Sequence, residues 1–193
     1  MGEVDIEPIR EIERNVGRIA GEEVRERVME GFGSLSGASR EAVARWVKGA
    51  MDRLDSLVDE ETRTRIMVGC GHGCAAMNSS VIDDVKARRK RYESVDDFLD
   101  AEIMNPDRGT RLAREGGMLI QYYTPHTYAE GLRCYCSLVS ALPADETISP
   151  TYCNCAKGYV ERFWEGVLER PVRVELVRSR MSGADECEFK IFL

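Results

Sequence analysis

Residues 151–179 read TYCNCAKGYVERFWEGVLERPVRVELVRS, and this stretch decides the fold class. From Lys157 to Arg170 the apolar residues recur at helical spacing, so Tyr159, Val160, Phe163, Trp164, Val167 and Leu168 share one face. Pro171 ends that helix, because proline offers no amide hydrogen and its ring clashes with the preceding turn. The pattern then turns from helical to alternating: Val172, Val174 and Leu176 point the same way, as in a half-buried strand. The last segment, CEFKIFL, alternates too, with Cys187, Phe189 and Ile191 on one face, and Met181–Asp185 joins the two strands. A helix followed by two strands and a short turn implies an antiparallel sheet packed by helices.

Upstream, MLIQYYT after Gly116-Gly117 is a strand candidate, Leu132–Val139 is another, and LPADETISP is a loop bounded by prolines. Ahead of Asn105-Pro106-Asp107 the chain is helical in pattern. Ile9, Ile12, Val16, Ile19 and Ala20 form a stripe that Val24 and Val28 extend. Ser39 caps a second helix with Val43, Trp46, Val47, Leu54 and Leu57 on one face. A third helical piece is expected from Glu60 to the glycines at 69, 71 and 73, and a fourth from Cys74 to Arg91. Ser94 and Asp97 form a capping box before a short apolar turn. The expected fold class is α+β: an N-terminal helical layer over 1–105, then an antiparallel sheet packed with helices over 106–193, together one compact domain.

Composition narrows the partners. Hydrophobic residues make up 43% of 193 positions, enough for a substantial core. The net charge of −7, from 27 Lys and Arg against 34 Asp and Glu, argues against nucleic acid, which calls for a basic stripe. The one basic run, Lys86–Arg91, is flanked by Asp83, Asp84 and Glu93 and suits a solvated helix face. No apolar run approaches a membrane span, so no membrane partner is expected. MGEVDIEPIR lacks the apolar stretch of a signal peptide, and Ile6 stands where a myristoylation signal at Gly2 wants Ser or Thr. The expected location is the cytoplasm, where paired cysteines serve metal or redox chemistry more often than disulfides.

Six of the seven cysteines fall in pairs: Cys70/Cys74 in GCGHGCA, Cys134/Cys136 in RCYCS and Cys153/Cys155 in YCNCAKG. On a strand, Cys134 and Cys136 point inward with Leu132 and Leu138, either as two small buried hydrophobes or as paired functional thiols. Cys153 and Cys155 are expected in a loop just before the helix, whose positive end and Lys157 favour thiolate. The two C-x-C units supply four sulfurs, the complement of a Zn²⁺ site or an iron–sulfur cluster. A single intervening residue on a flat strand, however, holds two sulfurs apart. Around Cys70 and Cys74 the three glycines suggest a tight turn, with His72 a metal ligand, an anion contact or a loop residue. His126 in TPHTYAEG, with Tyr122, Tyr123 and Tyr128 nearby, marks either a pocket rim or a surface loop. Cys187 suits core packing.

CYCSLV, the long 151–177 stretch quoted above and SGADECEFKI resemble a group of cysteine-rich prokaryotic proteins. Their C-terminal portion is similar to L-2-amino-thiazoline-4-carboxylic acid hydrolase-like domains and to vinyl reductase-type (V4R) small-molecule-binding domains. The shared segment closes on Gly183, Cys187, Phe189 and Ile191. The resemblance covers about the last third of the chain. It implies a pocket between sheet and helices for a small organic or sulfur-containing ligand, with Cys187 beside it. The C-x-C pairs and GCGHGCA depart from the hydrolase-like pattern.

Three functional expectations follow. The first is a cytosolic small-molecule-binding domain with a metal site at Cys134, Cys136, Cys153 and Cys155, joined or supplemented by Cys70, Cys74 and His72, and with Cys187, Tyr122, Tyr128 and Trp164 at the ligand. The second is a thiol-dependent hydrolase of a small heterocycle, with Cys153 or Cys155 as nucleophile and His126 or His72 as base. The third is a dithiol/disulfide redox module. The apolar stripes of the N-terminal helices suggest a homodimer.

Overall fold

The computed structural model describes residues 6–193. The expectations at Gly2 lie outside the described residues. Two helices open the chain, α1 (Glu7–Ala20) and α2 (Glu22–Val28), broken at Gly21, whose φ of +90° suits glycine. A long helix α3 (Arg40–Leu57) follows, and the amide of Ala42 donates to the Ser39 hydroxyl as its cap. Then come α4 (Glu60–Met77), α5 (Ser79–Arg89) and α6 (Val95–Met104). The amide of Asp97 donates to Ser94, and the segment foreseen as a short turn is a full helix.

The second half holds a four-stranded antiparallel sheet in the order β1-β2-β4-β3. Its strands are β1 (Thr110–Glu115), β2 (Met118–Tyr123), β3 (Arg173–Arg178) and β4 (Cys187–Phe192). A one-turn helix α7 (Pro125–Tyr128) follows β2, and α8 (Pro150–Leu168) precedes β3. The fold is α+β, with the helical layer first. Strand β1 escaped the sequence pattern because TRLARE has a single inward apolar residue, Leu112. Register aligns Leu112 with Gln121, Gln121 with Phe189 and Phe189 with Leu176, a row across the inner face.

Two core clusters meet along α8. The helical one contains Ile9, Ile12, Val16, Val47, Met51, Leu54, Ile66 and Met67. The sheet one contains Phe98, Leu119, Val160, Trp164, Phe189 and Ile191. Each such side chain removed from water contributes about 2 kcal/mol. The stripe that suggested a dimer contact is therefore spent inside the chain: Ile9, Ile12 and Val16 are buried within the helical cluster.

Three local expectations are corrected. The segment from Leu132 to Val139 is not a strand but part of a long loop between α7 and α8. Cys153 and Cys155 do not precede the helix; they lie in its first turns, because Ser149 caps α8 at Thr151 and Pro150 occupies the first helical position. The GCGHGCA segment is not a turn but the C-terminal half of α4. The glycines sit in a helix because neighbours need the space. A Cβ at Gly71 would lie 2.1 Å from the Cys155 carbonyl oxygen of α8, and one at Gly69 would lie 2.4 Å from Asn15 Oδ1 of α1. Closeness of three helices outweighs the propensity lost, about 1 kcal/mol per glycine. No helix among the described residues is long and apolar enough to cross a membrane.

Candidate functional site: a cysteine-lined cavity

Helix α4, packed between α1 and α8, puts Cys70 and Cys74 one turn apart on the same side. Helix α8 presents Cys153 and Cys155, the 129–149 loop supplies Cys134 and Cys136, and β4 contributes Cys187. All seven cysteines line one cavity of about 640 Å³. That volume falls in the usual range for small-molecule sites. The rest of the wall is mixed, aliphatic and polar, with an aromatic group that includes Tyr123, Tyr135, Tyr152, Tyr159, Phe163 and Trp164.

The 129–149 loop on the cavity wall is fixed by hydrogen bonds at both ends. The Arg133 guanidinium donates to the carbonyls of Leu142, Pro143 and Glu146, at 3.3, 2.6 and 2.8 Å. The Tyr135 hydroxyl donates to the Gly109 carbonyl at 2.6 Å, pinning the loop to the entry of β1. Asp55 of α3 fixes the start of α8, accepting from the Ser149 hydroxyl at 2.5 Å and the Thr151 hydroxyl at 2.6 Å.

All seven thiols are free. Their partners are neutral. Ser179 Oγ donates to Cys153 Sγ at 2.9 Å, the Arg180 amide to Cys187 Sγ at 3.4 Å, and the Cys136 amide to Cys134 Sγ at 3.4 Å. Cys136 Sγ and the Tyr152 hydroxyl are 3.0 Å apart. Burial dominates the acidity. It pushes the Cys153 thiol up to about 11, despite the opposing Ser179 hydrogen bond, and Cys70 up to about 12. Burial, reinforced by neighbouring thiols, also raises Cys134 and Cys155 well above the ordinary value. Cys74 and Cys187 shift the same way for the same first cause. Burial thus opposes the expected activation of Cys153 and Cys155 at the helix end, because desolvation disfavours the thiolate.

The expected site residues divide. Trp164 and Cys187 are on the cavity wall with the three cysteine pairs. Tyr122 is not: it lies under the Arg111 guanidinium, 3.5 Å from its ring centre, and strand parity sends it to the outer face. Tyr128 is exposed, against Tyr135 and Arg108. Neither histidine reaches the cavity. His126 is exposed in α7 with Nδ1 3.0 Å from Arg180 Nη1, and His72 Nε2 pairs with Glu161 Oε2 at 3.0 Å across α4 and α8. Cys153 and Cys155 therefore have no imidazole base in the cavity. Among the described residues, no three His, Cys, Asp or Glu side chains are gathered closely enough to hold a metal ion. The four C-x-C sulfurs border a space rather than converge on a point.

Sequence reasoning missed Gln121 and Tyr152, whereas Tyr123, named beside His126 as a pocket-rim candidate, is on the wall. The signal for Gln121 was present: in MLIQYY it is the one amide between inward-facing Leu119 and Tyr123. Trp164 Nε1 donates to Gln121 Oε1 at 2.7 Å.

The chain belongs to the DUF6144 family, described as a family of unknown function, whose profile matches residues 3–193. Comparison with curated proteins gives no match.

Proposed function

We propose that this is a cytoplasmic small-molecule-binding protein whose cysteine-lined cavity holds a small organic or sulfur-containing ligand. One observation carries the proposal: seven thiols from four separate segments of chain border a single cavity. Thiols are soft and polarizable and suit sulfur or aromatic groups, and the aromatic group on the wall adds matching surface. The free state of every cysteine accords with a reducing compartment.

The test is titration with Nile red, a neutral solvatochromic dye, under reducing conditions. One saturable site per chain with blue-shifted emission is expected. Modification of the wall by the double substitution Cys134→Phe and Cys136→Phe, which narrows the cavity, should weaken binding at least tenfold in a folded sample. Absence of saturable binding, or binding indifferent to that modification, overturns the proposal.

A further inference from the structure

Arg133 is the one cation on the cavity wall among the described residues, and Cys134 follows it directly in the chain. Its half-buried guanidinium meets only neutral groups. Nη1 donates to the Leu142 and Pro143 carbonyls at 3.3 and 2.6 Å, and Nη2 donates to the Glu146 carbonyl at 2.8 Å. No carboxylate among the described residues pairs with it. Glu146, which lends its carbonyl, spends its carboxylate on Arg45 at 3.1 Å. Carbonyl dipoles offset only part of a full charge, so Arg133 carries a positive charge that is partly withdrawn from water and not neutralised.

A guanidinium has five N–H donors in a rigid planar fork. The three carbonyls engage Nη1 and Nη2, and Nε has no acceptor among the described residues. The same three bonds hold the plane of the fork, so its open edge needs little further ordering to receive a partner. The pair of oxygens on a carboxylate matches such an edge, and the charge on both sides strengthens the bonds.

The acids on the wall are already matched. Glu11 accepts from Arg14 at 2.6 Å, and Glu102 accepts two hydrogen bonds from Arg88 at 3.1 and 2.9 Å. Asp107 shares that Arg88 at 3.3 Å, and its side chain is 65% exposed, so water and salt screen it. The cavity therefore has one unmatched charge, a cation, beside the C-x-C thiols. Elsewhere Tyr159 and Phe163, stacked with ring centres 6.4 Å apart, offer an apolar surface.

We propose that the cavity takes a ligand bearing a carboxylate, which the Arg133 guanidinium anchors while the ligand's apolar body lies against the thiols and aromatic rings. This rests on the small-molecule-binding reading above and names the ligand's head group.

Two probes with one body and different heads test this on the unmodified protein at pH 7.4 in reductant: 4-(1-pyrenyl)butyrate and 4-(1-pyrenyl)butanol, followed by pyrene fluorescence. The flexible four-carbon arm lets either head reach the wall. The butyrate should bind about tenfold tighter, the return of a hydrogen bond between charged groups. The chain's net charge of −7 repels an anion at long range, so such a preference needs a local cation. In Arg133→Gln the preference should vanish. The ratio of two probes within one folded sample separates loss of the charge from a shift of the loop, which would weaken both. Should the variant not fold, the order on the unmodified protein decides by itself. Butanol binding as tightly as butyrate, a preference that survives in Arg133→Gln, or Nile red binding without butyrate binding overturns the proposal and leaves the cavity reading intact. If neither pyrene probe nor Nile red binds, both fall together.

Discussion

Gly71 of α4 and Gly158 of α8 meet backbone to backbone. A Cβ at Gly71 would lie 2.9 Å from the Gly158 carbonyl carbon and nearer still to Cys155 O, and a Cβ at Gly158 would lie 2.2 Å from Val68 O. This crossing brings Cys70 and Cys74 alongside Cys155, so it builds one wall of the cavity. Gly71→Ala should cost about 3 kcal/mol, since the clash is with backbone that cannot rotate away. For a chain of this size that is a fall of roughly 6–12 °C in Tm. Gly73→Ala is the control: its Cβ would meet only the flexible carboxylate end of Glu11, at 2.8 Å, and gains helix propensity. It should be near neutral. Equal stability of Gly71→Ala and Gly73→Ala in thermal unfolding would contradict so close a crossing.

Cys153 and Cys70 should be slow to react at neutral pH. Cys153, with its proton held to about 11 against an ordinary value of 9.0, has about a hundredfold less thiolate at pH 7.4 than an exposed cysteine. Iodoacetamide labelling followed by peptide mass should show Cys153 and Cys70 among the last modified, with rates climbing about tenfold per pH unit and levelling off for Cys153 only near pH 11. Rapid labelling of Cys153 at pH 7.4 would restore the nucleophile reading.

The same acidities make the fold alkali-sensitive. Below pH 9 the thiols are protonated in both folded and unfolded chains, and their contribution is fully present. As pH rises from about 9 toward the 11 of Cys153 and the 12 of Cys70, the unfolded chain releases protons that the folded one keeps. Stability should then fall by about 1.4 kcal/mol per pH unit for each such thiol. Urea unfolding in reductant at pH 8.5 and 10.5 measures this, and Cys153→Ala should lessen the slope by one thiol's share.

Asp55 ties α3 to the start of α8 through the Ser149 and Thr151 hydroxyls, with Arg63 Nε 3.3 Å from its carboxylate. Asp55→Ala should cost about 2 kcal/mol, and Asp55→Asn less, because an amide can still accept one of the two bonds. Since Cys153 and Cys155 follow immediately, dye binding should weaken in step with the loss of the cap. An alanine variant as stable as the parent in urea would remove Asp55 from this role.

The Gln121–Trp164 pair is buried on both sides. Gln121→Leu strands the indole N–H and should cost about 2 kcal/mol, and Trp164→Phe leaves the carboxamide oxygen unmet. The double variant should be more stable than the sum of the single losses predicts, by about 1 kcal/mol. Strict additivity in a double-mutant cycle would mean the two groups do not bond.

Much of this was legible beforehand. The amphipathic stripe from Tyr159 to Leu168 and the alternation of Cys187, Phe189 and Ile191 are local signals, and each element formed where its pattern lay. Ser39 and Ser94 capped the helices they were expected to cap. The failures share a cause. Leu132–Val139 alternates like a strand but pairs with neither edge of the sheet, and GCGHGCA is rich in helix breakers but is wedged between α1 and α8. Periodicity reports burial, not the partner that satisfies the backbone. Tyr122 and Tyr123 are neighbours in sequence, yet one lies on the outer face of the sheet and the other lines the cavity.

The sequence by itself determined the α+β class, the helical first half, the closing strand pair and the presence of paired soft side chains, because these depend on residue type and on spacings within one element. Tertiary structure alone decided that the three pairs and Cys187 surround one space, that both histidines stand outside it, and that burial shifts Cys70, Cys134, Cys153 and Cys155 toward the protonated thiol. Those outcomes depend on which elements pack together and how much water the packing excludes, and neither quantity is carried by any single segment of the chain.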